Sequence, residues 1–183
     1  MYNRNNNTLA HIMWNRKYHA FSFFAFPVKF VHVILNTVTA AAMDSAGTWS
    51  TNGKGCGYGS TCSPTGTIRG VCPEGWHLPS RAEWETLFNV VGGQSVAGTK
   101  LKSTSGWNNS GNGTDAFSFS ALPAGNRFNS GSYDYEGSNA LFWSSTEHNS
   151  NRAYYMGLDY YYDDAYLDYF TEINWFSVRC LKD

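Results

Sequence analysis

Four cysteines constrain the fold of this 183-residue chain more than any other feature: Cys56, Cys62, Cys72 and Cys180. An even number of cysteines in a loop-rich chain favours two disulfides, for which three pairings exist. We prefer Cys56 with Cys62, which closes the glycine-rich loop "CGYGSTC", and Cys72 with Cys180, which joins the start of a domain to its end. A crosslink over so much chain contributes about 4 kcal/mol in the loop-entropy account.

Disulfides form in oxidising compartments, so the cysteines predict a secreted or cell-surface protein, in the periplasm or outside the cell. One alternative is a reduced cytosolic protein with ordinary buried thiols. Another is a zinc site, which is disfavoured because five residues separate Cys56 from Cys62 where structural sites usually place two to four. The sequence therefore predicts structural disulfides, and it predicts no cofactor and no metal site.

The composition favours a turn-rich domain stiffened by aromatic rings, because aromatic residues make up 17% of the chain and charged residues only 15%. The length fits one domain with an appended segment. The formal net charge is −1, and no basic run is longer than Arg16-Lys17, so a nucleic-acid partner is not expected.

The most apolar run covers residues 20–43, "AFSFFAFPVKFVHVILNTVTAAAM". Its basic flank and small terminal residues are typical of an export signal, whereas "VKFVHVIL" is typical of a buried strand. Both interpretations stay open. A stable membrane span is not expected, because Pro27 and Lys29 interrupt the run. We therefore divide the chain into a segment 1–39, either an export signal or an extra strand, and a domain 40–183.

The clearest local pattern is a helix start, at which Ser80 and Glu83 have the spacing of a capping box. The pattern predicts a helix from Arg81 to Val91 with an apolar stripe, and Gly92-Gly93 supplies its stop. A second short helix is predicted at 97–102. The stripe consists of Ala82, Trp84, Leu87 and Val91.

The rest of the chain predicts strands. The alternation in "AFSFSAL" indicates a half-buried strand at 116–122, and the stretch 123–139 is predicted to be turn-rich. Further strands are expected at "ALFWSST" and "WFSVRCL", with a hairpin between them that turns near Asp163-Asp164. Helices followed by an antiparallel sheet make the predicted class α+β.

Several ordered blocks resemble the Fibrobacter succinogenes major paralogous domain, a family of bacterial surface or secreted modules. They are "CPEGWHLPSRAEWETL", "GNGTDAFSFSALPAGNR", "FWSSTE" and "FSVRCLKD". The resemblance covers residues 40–183. It implies a C-type-lectin-like fold, in which short helices pack on a small, looped antiparallel sheet and the chain ends meet. It also implies a bond between Cys72 and Cys180, and it implies no established activity.

A fainter likeness concerns "WHLPSRAEWE", which is similar to the helix start of the sulfatase-modifying, formylglycine-generating family. That family oxidises its substrate with a pair of active-site cysteines that bind copper. The cysteines here are better explained as structural bridges, so the likeness supports the fold and not the reaction. An oxidising enzyme is the alternative to a non-enzymatic module.

The stretch "GLDYYYDDAYLDYF" predicts a recognition surface of tyrosine and aspartate. Strand alternation places Tyr155 and Asp159 on one face and Met156 and Leu158 on the other. Aspartate is depleted in strands, so its presence among tyrosines favours binding over strand propensity alone. The predicted ligand-binding residues are Tyr155, Asp159, Tyr161, Asp163, Tyr166, Asp168, His148, Asn149, Asn151 and Arg152.

The expected partner is a glycan or a surface protein, because aromatic faces stack on sugar rings and on protein side chains alike. The composition of the stretch also resembles variable segments that retroelements diversify on lectin-like scaffolds. A structural repeat unit of an envelope assembly is a third possibility. Calcium at the aspartates is disfavoured against a solvated acidic turn, and no histidine lies in a catalytic or zinc motif.

Overall fold

The fold is described from a computed structural model for residues 30–37, 42–48, 51–62 and 66–183, and for 30–37 the backbone alone is described. Residues 30–37 form the strand that one of the two interpretations of the apolar run requires. The export-signal interpretation of the run 20–43 stays a prediction, because residues 1–29 and 38–41 lie outside the described residues. The division at residue 40 stays a prediction.

Two helices and eight strands make up the regular structure of this described part. The helices are α1, Arg81–Val90, and α2, Gln94–Leu101, and a short 3₁₀ turn covers Asn108–Ser110. The predicted α+β class is confirmed. The strands are β1, Phe30–Thr37; β2, Trp76–His77; β3, Ala124–Arg127; β4, Tyr133–Glu136; β5, Asn139–Asn149; β6, Arg152–Asp159; β7, Ala165–Thr171; and β8, Phe176–Lys182.

The sheet was predicted to be antiparallel and is mixed, because β5 pairs with β6 antiparallel but contacts β8 and β3 in parallel. On one side, β6 pairs with β7 in the predicted hairpin. On the other side, β8 pairs antiparallel with β1 and with β2. Early and late parts of the chain therefore lie side by side in the sheet.

Both disulfides have the predicted pairing. Cys56 bonds to Cys62 across six residues, and Cys72 bonds to Cys180 across 108 residues. Since no other cysteine occurs in the sequence, every thiol of the chain is accounted for. No helix in the described part of the chain combines the length and the apolar character that a membrane crossing needs.

The capping box at the start of α1 is confirmed. The Ser80 hydroxyl accepts a hydrogen bond from the backbone N–H of Glu83 at 3.3 Å, and the Glu83 carboxylate accepts one from the Ser80 N–H at 2.8 Å. At the other end, the N–H of Gly93 donates to the carbonyl of Phe88 while Gly92 has φ +104°, the Schellman arrangement that glycine favours. The predicted apolar stripe is wrong at one position, because Ala82 is exposed.

The region before β3 differs from the prediction. Residues 116–122 do not form a strand, because Ser118 and Ser120 both adopt left-handed φ values of +54° and +52°. Phe119 is nevertheless buried, as the alternation predicted. The turn-rich stretch 123–139 contains the hairpin of β3 and β4, which the sequence analysis missed because every residue of β4 is exposed.

The sheet is covered on both faces. Against one face packs a cluster that includes Trp84 of α1 with Phe142 and Met156. Against the other face packs a cluster that includes both disulfides and Trp143. Neighbouring residues of β5 and β6 therefore enter different cores, which decides where the predicted site residues lie.

Candidate functional site

The predicted exposure of Tyr155 is wrong. Tyr155 is only 8% exposed, and its ring lies 5.0 Å from the ring of Phe176 and 6.5 Å from that of Trp143. The alternation along β6 is as predicted, but loops cover the face that was expected to meet solvent. Tyr155 is a core residue and is not part of an exposed surface.

Tyr166 belongs to the same face and is half-buried. Its ring meets that of Tyr155 edge to face at 6.0 Å, opposite Gly157 in the β6–β7 register. A Cβ on Gly157 would collide with the Tyr166 ring, so glycine makes room for it. Burial raises the pKa of both phenols, and both are therefore neutral hydrogen-bonding groups.

The remaining predicted residues do not form one patch, because most of them lie at opposite ends of β6. We call these the loop end, at the β6–β7 loop, and the turn end, at the β5–β6 turn. Tyr161 and Asp163 lie in the loop between β6 and β7, whereas His148, Asn149, Asn151 and Arg152 lie around the β5–β6 turn. The eight residues of β6 put roughly 23 Å between the two ends. Asp168 is exposed on β7 between them.

The carboxylates at the loop end stabilise the loop itself. Asp159 accepts hydrogen bonds from the N–H of Tyr161 at 2.7 Å and from the amide of Asn139 at 3.0 Å. Asp163 accepts one from the hydroxyl of Thr99 at 2.8 Å. These carboxylates are therefore hydrogen-bonded to the protein itself. Tyr161 is 74% exposed and is the ring at this end most open to solvent.

Lys102 stabilises the β6–β7 loop through hydrogen bonds from its side chain. Its ammonium group donates to the backbone carbonyls of Asp159 at 3.0 Å and Tyr162 at 2.9 Å. Burial lowers the pKa of Lys102, and the carboxylates of Asp163, Asp159 and Asp164 oppose this effect. The loop end is therefore a preformed structure with a buried cation at its base.

The turn end carries a stacked set of rings that we call the ring cluster: His148, Tyr154 and Tyr169. The imidazole of His148 lies 3.8 Å from the ring of Tyr169, with the two planes 2° from parallel. Tyr154 meets both rings edge to face, and its hydroxyl lies 3.2 Å from Nδ1 of His148. The cluster is therefore held by ring packing and one hydrogen bond.

Two guanidinium groups lie over the ring cluster. Arg152 lies 5.5 Å from the ring centre of Tyr169, and Arg81 at the start of α1 lies 4.6 Å from that of Tyr154. Arg81 also pairs with Glu85 at 3.0 Å. Asn149 and Asn151 shape the adjoining turn, since the N–H of Asn151 donates to the Asn149 side chain at 2.9 Å. The turn end therefore joins aromatic faces to exposed cations.

The predicted ligand-binding residues do not include two members of the ring cluster, Tyr154 and Tyr169. Strand alternation puts Tyr154 on the same face of β6 as Met156, which is buried. The signal that could have found them is the hairpin register, which places them directly opposite each other. A further exposed pair was also missed, Tyr133 and Tyr135 of β4.

Comparisons with known proteins give one family. The model of the Fibrobacter succinogenes major domain matches residues 36–182. No curated protein and no solved structure matches the chain. The match covers strands β2 to β8, both helices and all four cysteines, and it begins within β1.

Proposed function

The chain belongs to the Fibrobacter succinogenes major domain family, and we propose that it is an exported or cell-surface module that binds a glycan or protein ligand through the ring cluster. Two disulfides agree with an extracellular protein. The observation that carries the binding proposal is the stack of His148 on Tyr169 at an exposed strand end.

Binding at this position has a physical advantage. Rings already fixed by neighbouring rings lose little conformational freedom when a ligand arrives, so more of the contact energy appears as affinity. Arg152 adds an exposed cation beside the stack. Aromatic and arginine side chains are also the types that dominate binding energies in known interfaces.

We further propose that the fold is C-type-lectin-like. Two short helices packed on a looped sheet, with a disulfide between distant parts of the chain, are the features that the family resemblance implies. An experimental structure compared with lectin-like domains tests this assignment, and a different strand order would reject it.

A binding screen tests the function. The purified protein is applied to a glycan panel and to a panel of bacterial surface proteins, and each hit is repeated with H148A/Y169A. The matched control is Y133A/Y135A, which removes two exposed rings elsewhere. Loss of binding in the first variant alone supports the ring cluster. Equal binding by both variants, or loss only in the control, rejects it.

The oxidising-enzyme alternative stays a separate hypothesis. It requires reactive thiols, whereas all four cysteines form disulfides in this structure. Titration of thiols in the native protein, with and without mild reductant, tests it. Two thiols that react rapidly without loss of the fold would favour the enzyme.

A further inference from the structure

A second feature lies behind the ring cluster, on the opposite face of the sheet. A cavity of about 300 Å³ separates the Cys56–Cys62 loop from the chain that follows β7. The lining residues are Ser45, Gly55, Cys56, Gly57, Tyr58, Ser60, Glu172 and Ile173.

Glu172 is the unexpected member of this wall. Its side chain is 1% exposed, and within the described part of the chain neither carboxylate oxygen has a hydrogen-bond partner. A buried ionised carboxylate without partners costs several kcal/mol, so native proteins pair such groups or place a metal ion beside them. Burial, together with the nearby charge of Glu147, raises the pKa of Glu172 to about 7.

Glu147 does not line the cavity, but it provides a second carboxylate beside the same loop. One of its oxygens accepts a hydrogen bond from the N–H of Cys62 at 2.9 Å. Its other oxygen, Oε1, is buried, and no donor for it is found among the described residues. Burial raises the pKa of Glu147 against the opposing effect of the Cys62 and Gly57 backbone groups.

The two carboxylates influence each other electrostatically, and in the described residues neither takes part in an ion pair. Two partly buried like charges require either a proton or a cation to offset their repulsion. Calcium prefers such a set, because it binds carboxylate, carbonyl and hydroxyl oxygens in flexible geometry. The two cysteines near Glu147 are bonded to each other, so they leave no thiolate for a softer metal.

We propose that Glu147 and Glu172 bind a calcium ion beside this cavity, at the contact of the Cys56–Cys62 loop with the ends of β5 and β7, with oxygens of the loop completing the coordination. The site is separate from the aspartates of the β6–β7 loop. A bound calcium ion would link the Cys56–Cys62 loop to the ends of β5 and β7. With only two carboxylates, the dissociation constant should lie at roughly 0.1–1 mM, the range of extracellular calcium modules.

Calorimetric titration and thermal unfolding test the site. The protein is treated with EDTA, dialysed, and titrated with calcium chloride or magnesium chloride at pH 7.5. We expect heat of binding with calcium and a rise in the unfolding temperature of about 4 °C or more at saturation. Magnesium should give a smaller rise, because it requires stricter octahedral geometry.

Variants connect the effect to these residues. E172Q and E147Q should each lose at least tenfold in calcium affinity, whereas E136Q, on exposed β4, should behave like the wild type. No calcium binding by the wild type, or equal binding by E172Q, would overturn the proposal. If the wild type does not bind calcium and E172Q is more stable than the wild type, Glu172 is a buried, protonated carboxyl group. That result also rejects the site.

Discussion

The imidazole of His148 lies flat on the phenol ring of Tyr169, with ring centres 3.8 Å apart. His148 is near the end of β5 and Tyr169 is on β7, so the stack spans the intervening strand β6. Tyr154 of β6 meets both rings edge to face and lies directly opposite Tyr169 in the register. The aromatic surface is therefore a product of strand pairing and not of a single sequence run.

Replacing Tyr169 with alanine should weaken ligand binding with little loss of stability. The ring is 37% exposed, so we expect a stability change below about 1 kcal/mol. Affinity for a ligand found in the screen should fall about five- to thirtyfold, as for a moderate interface hot spot. Titration calorimetry of the variant measures this, with Tyr133→Ala as the control. Unchanged affinity would place the contact elsewhere.

Tyr155→Ala should destabilise the protein strongly. The ring packs against Phe176 and Trp143 in a closed core, and loss of a buried aromatic side chain costs about 3–5 kcal/mol. Tyr161→Ala, at a ring that is 74% exposed, should change the free energy of unfolding by less than about 0.5 kcal/mol. Urea unfolding of both variants checks the contrast. Similar values for the two would contradict the burial of Tyr155.

Tyr155 is buried and Tyr161 is exposed, and this difference shows what could be predicted from the sequence. Alternation correctly placed Tyr155 on the opposite face of β6 from Met156. It could not reveal that a loop closed by Cys56 and Cys62 covers that face, because this cover is set by distant chain segments. Alternation along a strand therefore predicts which face of the sheet a side chain occupies better than it predicts whether that side chain is exposed.

Predictions that depended on local chemistry succeeded. The capping box at Ser80 and the glycine stop after α1 depend on adjacent backbone groups, and both were predicted from the residues alone. The β3–β4 hairpin was missed, because the solvated "YDYE" strand has no apolar side to give a period. The ring cluster was missed in part, because its members meet only through the register of β6 and β7.

Gly98→Ala should destabilise α2, although alanine favours a helix by about 1 kcal/mol over glycine. A Cβ at this position would collide with the carbonyl oxygens of Asp163 and Asp164. The N–H of Thr99 also donates to the Asp163 carbonyl at 3.0 Å, so the loop cannot retreat without losing that bond. We expect a net loss of about 1–3 kcal/mol.

Thermal or urea unfolding measures this loss, with Ser95→Ala on the exposed side of the same helix as the control. The control should stay within about 0.5 kcal/mol of the wild type. A Gly98→Ala variant as stable as the wild type would show that α2 does not press on the β6–β7 loop.

The two disulfides should differ in their contribution to stability. In the loop-entropy account, the Cys72–Cys180 bond closes 108 residues and contributes about 4.7 kcal/mol, while the short Cys56–Cys62 loop contributes less than about 3 kcal/mol. Paired alanine variants, C72A/C180A and C56A/C62A, compare them by urea unfolding. A larger loss of stability in C56A/C62A would mean that the Cys56–Cys62 bond also stabilises the folded state directly, in addition to restricting the unfolded chain.

Glu172 should make the stability of the calcium-free protein depend on pH. Its pKa in the folded protein is about 7, above the ordinary value of 4.5. Between these values the folded state binds more protons than the unfolded state, so linkage requires stability to fall as pH rises through this window. Since one pKa unit corresponds to about 1.4 kcal/mol, the group should remove roughly 3 kcal/mol by pH 7.5.

Glu172→Gln has no charge to bury, so in EDTA the variant should be close to the wild type at pH 4.5 and more stable at pH 7.5. Urea unfolding at a series of pH values gives the difference between the two proteins, in which the other titrating groups largely cancel. Glu136→Gln, at an exposed carboxylate, should follow the wild type throughout. A difference that does not grow between pH 4.5 and 7 would show that folding does not raise the pKa of Glu172.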